Sequence, residues 1–198
     1  MLEIKQGTIQ YTDGIVPLIL ASAPELLAYI FGSTEKAASF LAHAVKQNDG
    51  QFSAVRHKIA IMDNKLVGCV SIWHTDMPPN FHDATLKSIA TFLSPEQMAH
   101  VIAINPLLVT LFPPPTLDEL CFGHLSVRPD YQGVGVASKL LSYIVRQAKY
   151  LKKNTIVLDV DECNQDALAF YEKWQFKTIE RALFEPTRQH FLRLNLKV

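Results

Sequence analysis

The chain has no excess of charge of either sign: 19 lysines and arginines balance 19 aspartates and glutamates over 198 residues. A protein that binds nucleic acid or an anionic membrane usually carries a basic stripe or patch. The sequence also has no apolar run of the roughly 18 residues that a membrane-spanning helix needs. We therefore expect neither a nucleic-acid partner nor a membrane partner.

Cysteine is scarce, and its spacing argues against two kinds of site. Cys69, Cys121 and Cys163 are odd in number, far apart and free of any C-x-x-C pair, which disfavours a disulfide framework and a thiolate metal site. The seven histidines show no H-x-x-x-H spacing, so we expect no metal site. The first residues lack a signal-peptide core and a transit-peptide pattern. These absences predict a cytoplasmic protein with reduced thiols.

The apolar periodicity predicts an α/β fold, with a central mixed sheet flanked by helices, in a single domain over residues 1–198. A hairpin is expected where apolar strands at 53–62 and 66–74 flank an Asp-Asn-Lys turn. Residues 75–116, with helical patches near 84–92 and 95–103, are long for a connection and are predicted to be an insertion on the substrate side. The other expected strands are 2–11, 117–127, 155–160, 176–185 and 191–198, and the other expected helices are 15–31, 34–46, 134–151 and 167–174.

The most informative segment is Leu125–Leu141, which reads LSVRPDYQGVGVASKLL. A strand-like run leads through a proline turn into a glycine-rich helix start. Small residues there let a ligand approach the backbone, where free N–H groups and the helix dipole favour an anion. The segment lacks the Lys-Ser/Thr pair of a P-loop and the G-x-G-x-x-G of a dinucleotide site. We infer a phosphate cradle of another kind.

Two motifs together resemble those of the GNAT acetyltransferase superfamily. The first is similar to that family's acyl-coenzyme A pyrophosphate loop and reads Val127-x-Pro129-x-x-Gln132-Gly133-x-Gly135-x-Ala137. The second resembles a signature that usually ends Y-E-K-x-G-F and reads Asn164-x-x-Ala167-x-x-Phe170-Tyr171-Glu172-Lys173, followed by Phe176. Gln175 replaces the family's glycine, so we expect the turn after this helix to differ. The resemblance implies a twisted, mostly antiparallel sheet and acetyl-CoA as cosubstrate.

The resemblance also implies which residues bind coenzyme A. Leu125, Ser126 and Val127 match strand positions that pair with the pantetheine arm, and the Val127 N–H is expected to donate to the thioester oxygen. Asn164 matches the residue that bonds the pantetheine amides, and it is also a natural helix N-cap. The other residues expected at the cofactor are Gln132, Gly133, Val134, Gly135, Val136, Ala137, Ser138, Ala167, Phe170 and Tyr171.

Three residues are candidates for the acid–base chemistry. Tyr171 matches the family's tyrosine that protonates the departing sulfur, and a phenol with an ordinary pKa near 10 suits that role; packing against the sheet is its alternative. Strand alternation puts Glu119 on the face of Cys121 and Gly123, where many relatives carry a glutamate that this chain lacks. His124 reaches that face only if a bulge shifts the alternation. A solvated strand-end carboxylate and a hydrogen-bonded sheet histidine are the structural alternatives for these two.

Two classes of function remain open. One is an N-acetyltransferase that acylates a primary amine of a small molecule or peptide by direct attack in a ternary complex, since no residue stands out as a covalent nucleophile. The other is a non-catalytic acyl-CoA sensor, which the missing glutamate favours. A protein-interaction module without a cofactor leaves both motifs unexplained. The acceptor stays open, as does the choice between a monomer and a homodimer.

Overall fold

The computed structural model describes all 198 residues as one seven-stranded sheet with helices on both faces. The strands are β1 (Leu2–Gln6), β2 (His57–Met62), β3 (Lys65–Trp73), β4 (Glu119–Val127), β5 (Thr155–Asp161), β6 (Lys177–Phe184) and β7 (Gln189–Lys197). The helices are α1 (Thr12–Ser22), α2 (Pro24–Phe31), α3 (Thr34–Ala44), α4 (Phe81–Phe92), α5 (Pro95–Leu111), α6 (Val136–Tyr150) and α7 (Gln165–Lys173).

The strands lie in the order β1-β2-β3-β4-β5-β7-β6. Every neighbouring pair is antiparallel except β4 and β5, which are parallel. The parallel pair is joined by α6, as a parallel connection requires a crossover. A mixed, mostly antiparallel sheet flanked by helices confirms the fold expected from the sequence.

Each face of the sheet has its own apolar core. On the first face, which we call the α6 face, Leu120 and Phe122 of β4 pack with Leu140 and Ile144 of α6, and with Tyr171 of α7. On the opposite face, the α1 face, helices α1–α3 pack on Ile59, Ile61 and Cys69. A smaller cluster joins α2 and α5 to the far strands through Leu26, Leu111, Phe184 and Phe191.

The parallel pairing of β4 with β5 is short. It covers only Glu119–Cys121 opposite Thr155–Val157, although β4 continues to Val127 and β5 to Asp161. The two strands therefore part beyond Cys121, and we call the gap between them the β4–β5 cleft. The cleft leaves one edge of β4 without a strand partner.

A β-bulge interrupts β4 at His124. Cys69 and Ser71 of β3 are two residues apart, but their partners Ser126 and Gly123 are three apart, and His124 has a left-handed φ of 54°. The extra residue shifts the side-chain alternation. His124 thus turns away from the α6 face, where Phe122 packs, and joins the α1 face.

No single helix is long and apolar enough to cross a membrane. Ile9–Ser22 and Pro24–Phe31 meet that test together, on length and composition only, and they are bent by 100° at their junction.

Candidate active site

The glycine-rich loop forms an exposed cradle at the N-terminus of α6. Gly133 and Gly135 have φ angles of 76° and 90°, and a Cβ built on either one would have no atom within 4 Å. The backbone N–H groups from Gly133 to Ser138 donate to no backbone carbonyl. A row of free donors at a helix start is a ready site for an anion such as a pyrophosphate. Gln132 donates its side-chain amide to the Val127 carbonyl at 3.3 Å and so ties the cradle to β4.

The free edge of β4 lies directly beside the cradle. The Arg128 N–H donates to the Val67 carbonyl at 2.9 Å, which makes these two a hydrogen-bonded antiparallel pair. Val127 and Gly68 are the next pair in the same register and therefore a non-hydrogen-bonded one, so the Val127 N–H and C=O point away from β3. Leu125, Ser126 and Val127 are half-buried. An extended amide chain in the β4–β5 cleft would find the Val127 N–H unpaired here, while the Val127 carbonyl accepts from Gln132.

Tyr171 lies over the start of the cleft on the α6 face. Its ring packs edge-on against Phe122 at 6.0 Å, Phe170 at 5.4 Å and Phe176 at 5.5 Å between centroids. The side chain is only 6% exposed, and burial raises the pKa of its phenol, so the hydroxyl stays protonated. Tyr171 can therefore pack against the sheet and hold a proton for donation from the same position.

Asn164 caps α7, as expected, because its side-chain oxygen accepts from the Ala167 N–H at 3.1 Å. Asn164 is exposed, while Ala167 and Phe170 are half-buried on the same helix. The structure thus brings Asn164, Ala167 and Phe170 together with Tyr171 on one element. Their contacts with a cofactor stay a prediction.

The bulge brings His124 against a second histidine. His124 Nδ1 lies 3.0 Å from His57 Nε2 and 3.2 Å from Ser71 Oγ, and its ring is nearly parallel to those of His57 and Phe52, with centroids 5.2 and 5.5 Å apart. Burial, and then the nearby His57, lower the pKa of His124 to about 3. The imidazole is therefore neutral at pH 7. His57 and Ser71 were not foreseen, because they lie on β2 and β3, far from β4 in sequence.

Glu119 is held at the start of β4 rather than inside the cleft. Its carboxylate accepts from the Thr116 N–H at 2.9 Å and lies 3.9 Å from the Arg193 guanidinium. These contacts match the structural alternative for Glu119, a strand-end carboxylate, except that it is paired and not solvated.

An ion pair that sequence reasoning missed lies beside the cleft. Arg193 of β7 donates to both carboxylate oxygens of Asp159 at 3.1 and 3.2 Å, and their side chains are 7% and 11% exposed. Burial raises the pKa of Asp159 to about 6, against the opposing effect of Arg193. Asp159 is two residues beyond Val157, where pairing with β4 ends. A charge interrupting the apolar run of β5 was the only sequence signal for it.

An aromatic ring fills the space beside Gly123, one of the two positions where the resemblance implies a glutamate in many relatives. A Cβ on Gly123 would lie 2.7 Å from Cη2 of Trp73, so the indole occupies the space that a longer side chain would need. Cys121, the other such position, is 2% exposed. Burial, and then the charge of Asp159, raise the pKa of the Cys121 thiol well above its ordinary value. Such a thiol is a poor nucleophile.

No group of three His, Cys, Asp or Glu side chains lies close enough together to hold a metal ion. The groups described at the site are the cradle, the free edge of β4, Tyr171 and the titratable side chains of the α1 face.

A model of the acetyltransferase (GNAT) family matches residues 29–176 of the chain. The solved N-acetyltransferase from Staphylococcus aureus Mu50 has a TM-score of 0.70 at 15% identity, over 98% of this chain and 100% of its own. A further acetyltransferase structure gives 0.64 at 18% identity, over 99% of each chain. The ribosomal-protein-S18-alanine N-acetyltransferase from Escherichia coli gives 0.52 at 16%, over 100% and 94%. At these identities the likeness is one of fold. No curated protein sequence matches the chain.

Proposed function

The chain belongs to the acetyltransferase (GNAT) family, and on that premise we propose that it transfers an acetyl group from acetyl-CoA to a primary amine. The amine belongs to a small molecule or a peptide and attacks directly in a ternary complex. The observation that carries the proposal is the exposed cradle Gln132–Ser138, with its free N–H groups, at the end of a strand whose edge is open. Two fold neighbours named N-acetyltransferases support an amine as the acceptor.

The cradle fits coenzyme A on structural grounds. The left-handed Gly133 and Gly135 leave open space where any other residue would carry a side chain, and the N–H groups around them are free for phosphate oxygens. Val127 turns its own N–H toward the cleft, where it would hold the pantetheine arm by strand-like pairing or bond the thioester oxygen. Bound acetyl-CoA supplies the activated acetyl thioester.

Two side chains supply the proton transfers. His124, neutral at pH 7, accepts the proton that the amine nitrogen loses as it attacks the thioester. Tyr171, whose phenol stays protonated, holds a proton for the leaving sulfur. Cys121 takes no part as a nucleophile because its thiol is buried and protonated. Direct attack is therefore favoured over an acetyl-enzyme.

The three cysteines are free, and Cys69 and Cys121 are buried, which supports a cytoplasmic protein with reduced thiols. The balanced charge supports no nucleic-acid or membrane partner. The second candidate function is an acyl-CoA sensor without turnover. Trp73 in the place of the family's glutamate is the observation that favours it.

Coenzyme A release from acetyl-CoA, measured against a panel of primary amines, separates the two functions. An acetyltransferase releases coenzyme A in proportion to acetylated product for at least one amine, and mass spectrometry of the product identifies the acylated nitrogen. Binding of acetyl-CoA with no release above the amine-free rate for any member of the panel would favour the sensor.

The cradle itself is tested by Gly135→Asp, with Gly135→Asn as the matched control. A ligand that binds only the folded state stabilises it, by about 2.7 kcal/mol at 100 times Kd, so wild-type protein should melt at a higher temperature with coenzyme A. We expect Gly135→Asp to lose that shift because its carboxylate faces the pyrophosphate. Gly135→Asn puts a side chain of the same size as Asp, but without charge, at the same left-handed position. It should keep part of the melting shift. Equal affinity of all three proteins would refute the cradle.

A further inference from the structure

His57 is a buried histidine whose two ring nitrogens both have partners. Its side chain is 0% exposed, its Nδ1 lies 2.9 Å from the Ser53 carbonyl oxygen, and its Nε2 lies 3.0 Å from His124 Nδ1. Burial lowers the pKa of His57 to about 4, so the ring is neutral at pH 7. A neutral imidazole has one N–H donor and one bare acceptor nitrogen.

These partners fix where each proton lies. A carbonyl oxygen can only accept, so His57 Nδ1 carries the hydrogen and His57 Nε2 is bare. His124 Nδ1 must then be the donor of the bond between the two rings. Ser71 agrees with this direction, because its hydroxyl donates to the Gly123 carbonyl at 3.2 Å and so offers a lone pair to His124 Nδ1.

The other nitrogen of His124 is thereby left bare. His124 Nε2 has no hydrogen-bond partner within the chain, and no buried polar side-chain atom of the protein is without one, so this nitrogen reaches solvent. Free histidine in water prefers the opposite tautomer, with the hydrogen on Nε2. The hydrogen bonds that run from the Ser53 carbonyl through His57 to His124 therefore select the His124 tautomer whose accessible Nε2 can accept a proton.

We propose that His57 is a positioning residue that holds His124 in the tautomer able to act as the general base. This inference rests on the proposed acetyl transfer. His57 touches neither substrate nor cofactor; it acts through the bond to His124, together with Ser71. The left-handed backbone at His124 turns the ring onto His57, and the Cys69 thiol, which donates to the His124 carbonyl at 3.4 Å, supports that turn. Conformational strain of this kind is concentrated at functional sites.

Nitrogen-15 NMR of histidine-labelled wild-type protein measures the tautomer directly. We expect His124 to carry its hydrogen on Nδ1 and to change toward the Nε2–H form in His57→Phe, which keeps an aromatic ring at this position but removes the acceptor. A wild-type His124 with its hydrogen on Nε2 would overturn the inference, and this measurement needs no variant to fold.

Kinetics of three variants then test the role in transfer, using the best amine of the panel. His57→Phe should lower kcat roughly 10–100-fold, part of the 10²–10⁴-fold that a general base contributes, with the melting shift by coenzyme A intact. His57→Gln should recover most of kcat, because its amide can donate to Ser53 and accept from His124. Adding His57→Phe to His124→Ala should cost nothing more, since the residues act as one unit.

The possible failures are distinguishable. Wild-type kcat in His57→Phe, or an undiminished effect in the His124→Ala background, overturns the positioning role and leaves the transferase standing. A wild-type protein that acetylates no amine overturns the proposed function, and the positioning role falls with it.

Discussion

At the scale of single residues, burial sets the charge state of His124 on β4 and of Asp159 on β5. It lowers the pKa of His124 to about 3 and raises that of Asp159 to about 6. Both shifts favour the neutral form of the group. His124 is thus uncharged throughout the physiological range, while Asp159, which is paired with Arg193, changes charge just below neutrality.

Asp159 should therefore make stability depend on pH. Its folded-state pKa of about 6 is above the ordinary 3.8, so its stabilising contribution is present below pH 4 and is lost as pH rises to 6. Asn does not titrate. The unfolding free energy of the wild type minus that of Asp159→Asn should fall by up to about 3 kcal/mol over this range. Urea unfolding of both proteins at pH 4 to 7 measures this difference. Arg193 loses its partner in the variant, but this adds only an offset that does not change with pH. If the unfolding free energies of wild type and Asp159→Asn changed in parallel with pH, the raised pKa of Asp159 would be contradicted.

Tyr171 gives the second prediction at this scale. Tyr171→Phe keeps the packing against Phe122, Phe170 and Phe176 and removes only the hydroxyl. If that hydroxyl protonates the leaving sulfur, kcat should fall roughly 10²–10⁴-fold while coenzyme A affinity is unchanged. Steady-state kinetics beside a coenzyme A titration separates the two quantities. Activity equal to wild type would leave Tyr171 with the packing role alone.

The sequence identified some of these residues and not others for a physical reason. The cradle and Tyr171 belong to local motifs, so they are recognisable from spacing alone. His57 meets His124 across 67 positions of sequence, and Arg193 meets Asp159 across 34. These long-range side-chain contacts depend on strand order and register, which local motifs do not show. Strict alternation also put His124 on the wrong face, because the bulge that moves it leaves no periodic signal.

At the scale of elements, the end of α7 corrects an expectation. With Gln175 in place of the family's glycine, a different turn was expected after the helix. Instead the Gln175 N–H donates to the Glu172 carbonyl at 2.8 Å and the Phe176 N–H to that of Tyr171 at 3.1 Å, while Gln175 has a φ of 66°. This is the Schellman arrangement that a glycine makes easily. Buried Phe176 anchors the turn, so the expectation was wrong.

The strained Gln175 offers a stabilising substitution. A left-handed residue with a Cβ costs on the order of 1 kcal/mol relative to glycine, and the Gln175 side chain is exposed. Gln175→Gly should raise the unfolding free energy by about 1 kcal/mol without changing kcat. Urea denaturation checks it, with Gln175→Ala as the control that keeps the strain. A glycine variant no more stable than the alanine variant would show that the turn holds no such strain.

Most elements follow from local chemistry. The hairpin forms because Asp63 and Asn64 adopt φ angles of 49° and 61°, which a two-residue turn between twisted strands requires. Ser94 and Gln97 form a capping box at the start of α5. That helix runs to Leu111, beyond the expected 103, because Leu111 packs on Leu26, Phe184 and Phe191. Local pattern cannot show such a tertiary contact, nor the point where β4 and β5 part.

At the scale of the whole molecule, residues 75–116 join the cores on the α1 face. Leu93, between α4 and α5, belongs to the core of α1–α3. Leu111, at the end of α5, belongs to the smaller cluster with α2, β6 and β7. Deleting the segment would therefore expose both clusters. The predicted role of residues 75–116 in acceptor choice must therefore be tested with point substitutions of side chains that do not belong to these clusters.

We predict that Phe112 of this segment contacts the acceptor. Its half-buried ring lies 5.1 Å from that of Phe191, and Phe191 is two residues before Arg193 on the same face of β7. Removing an apolar wall of a binding site costs about 1–3 kcal/mol. Phe112→Ala should thus raise KM for the amine roughly tenfold and leave KM for acetyl-CoA unchanged.

Leu107→Ala is the matched control for that change, because Leu107 is on α5, one turn before Phe112, and is 47% exposed. We expect it to alter neither KM, and melting temperatures of both variants report any loss of packing. Steady-state kinetics with both substrates varied gives the two constants separately. If Phe112→Ala leaves KM for the amine at the wild-type value, the acceptor binds elsewhere on the α1 face. Helices α1 and α2, which pack in the core of the α1 face, would then be the next surface to substitute.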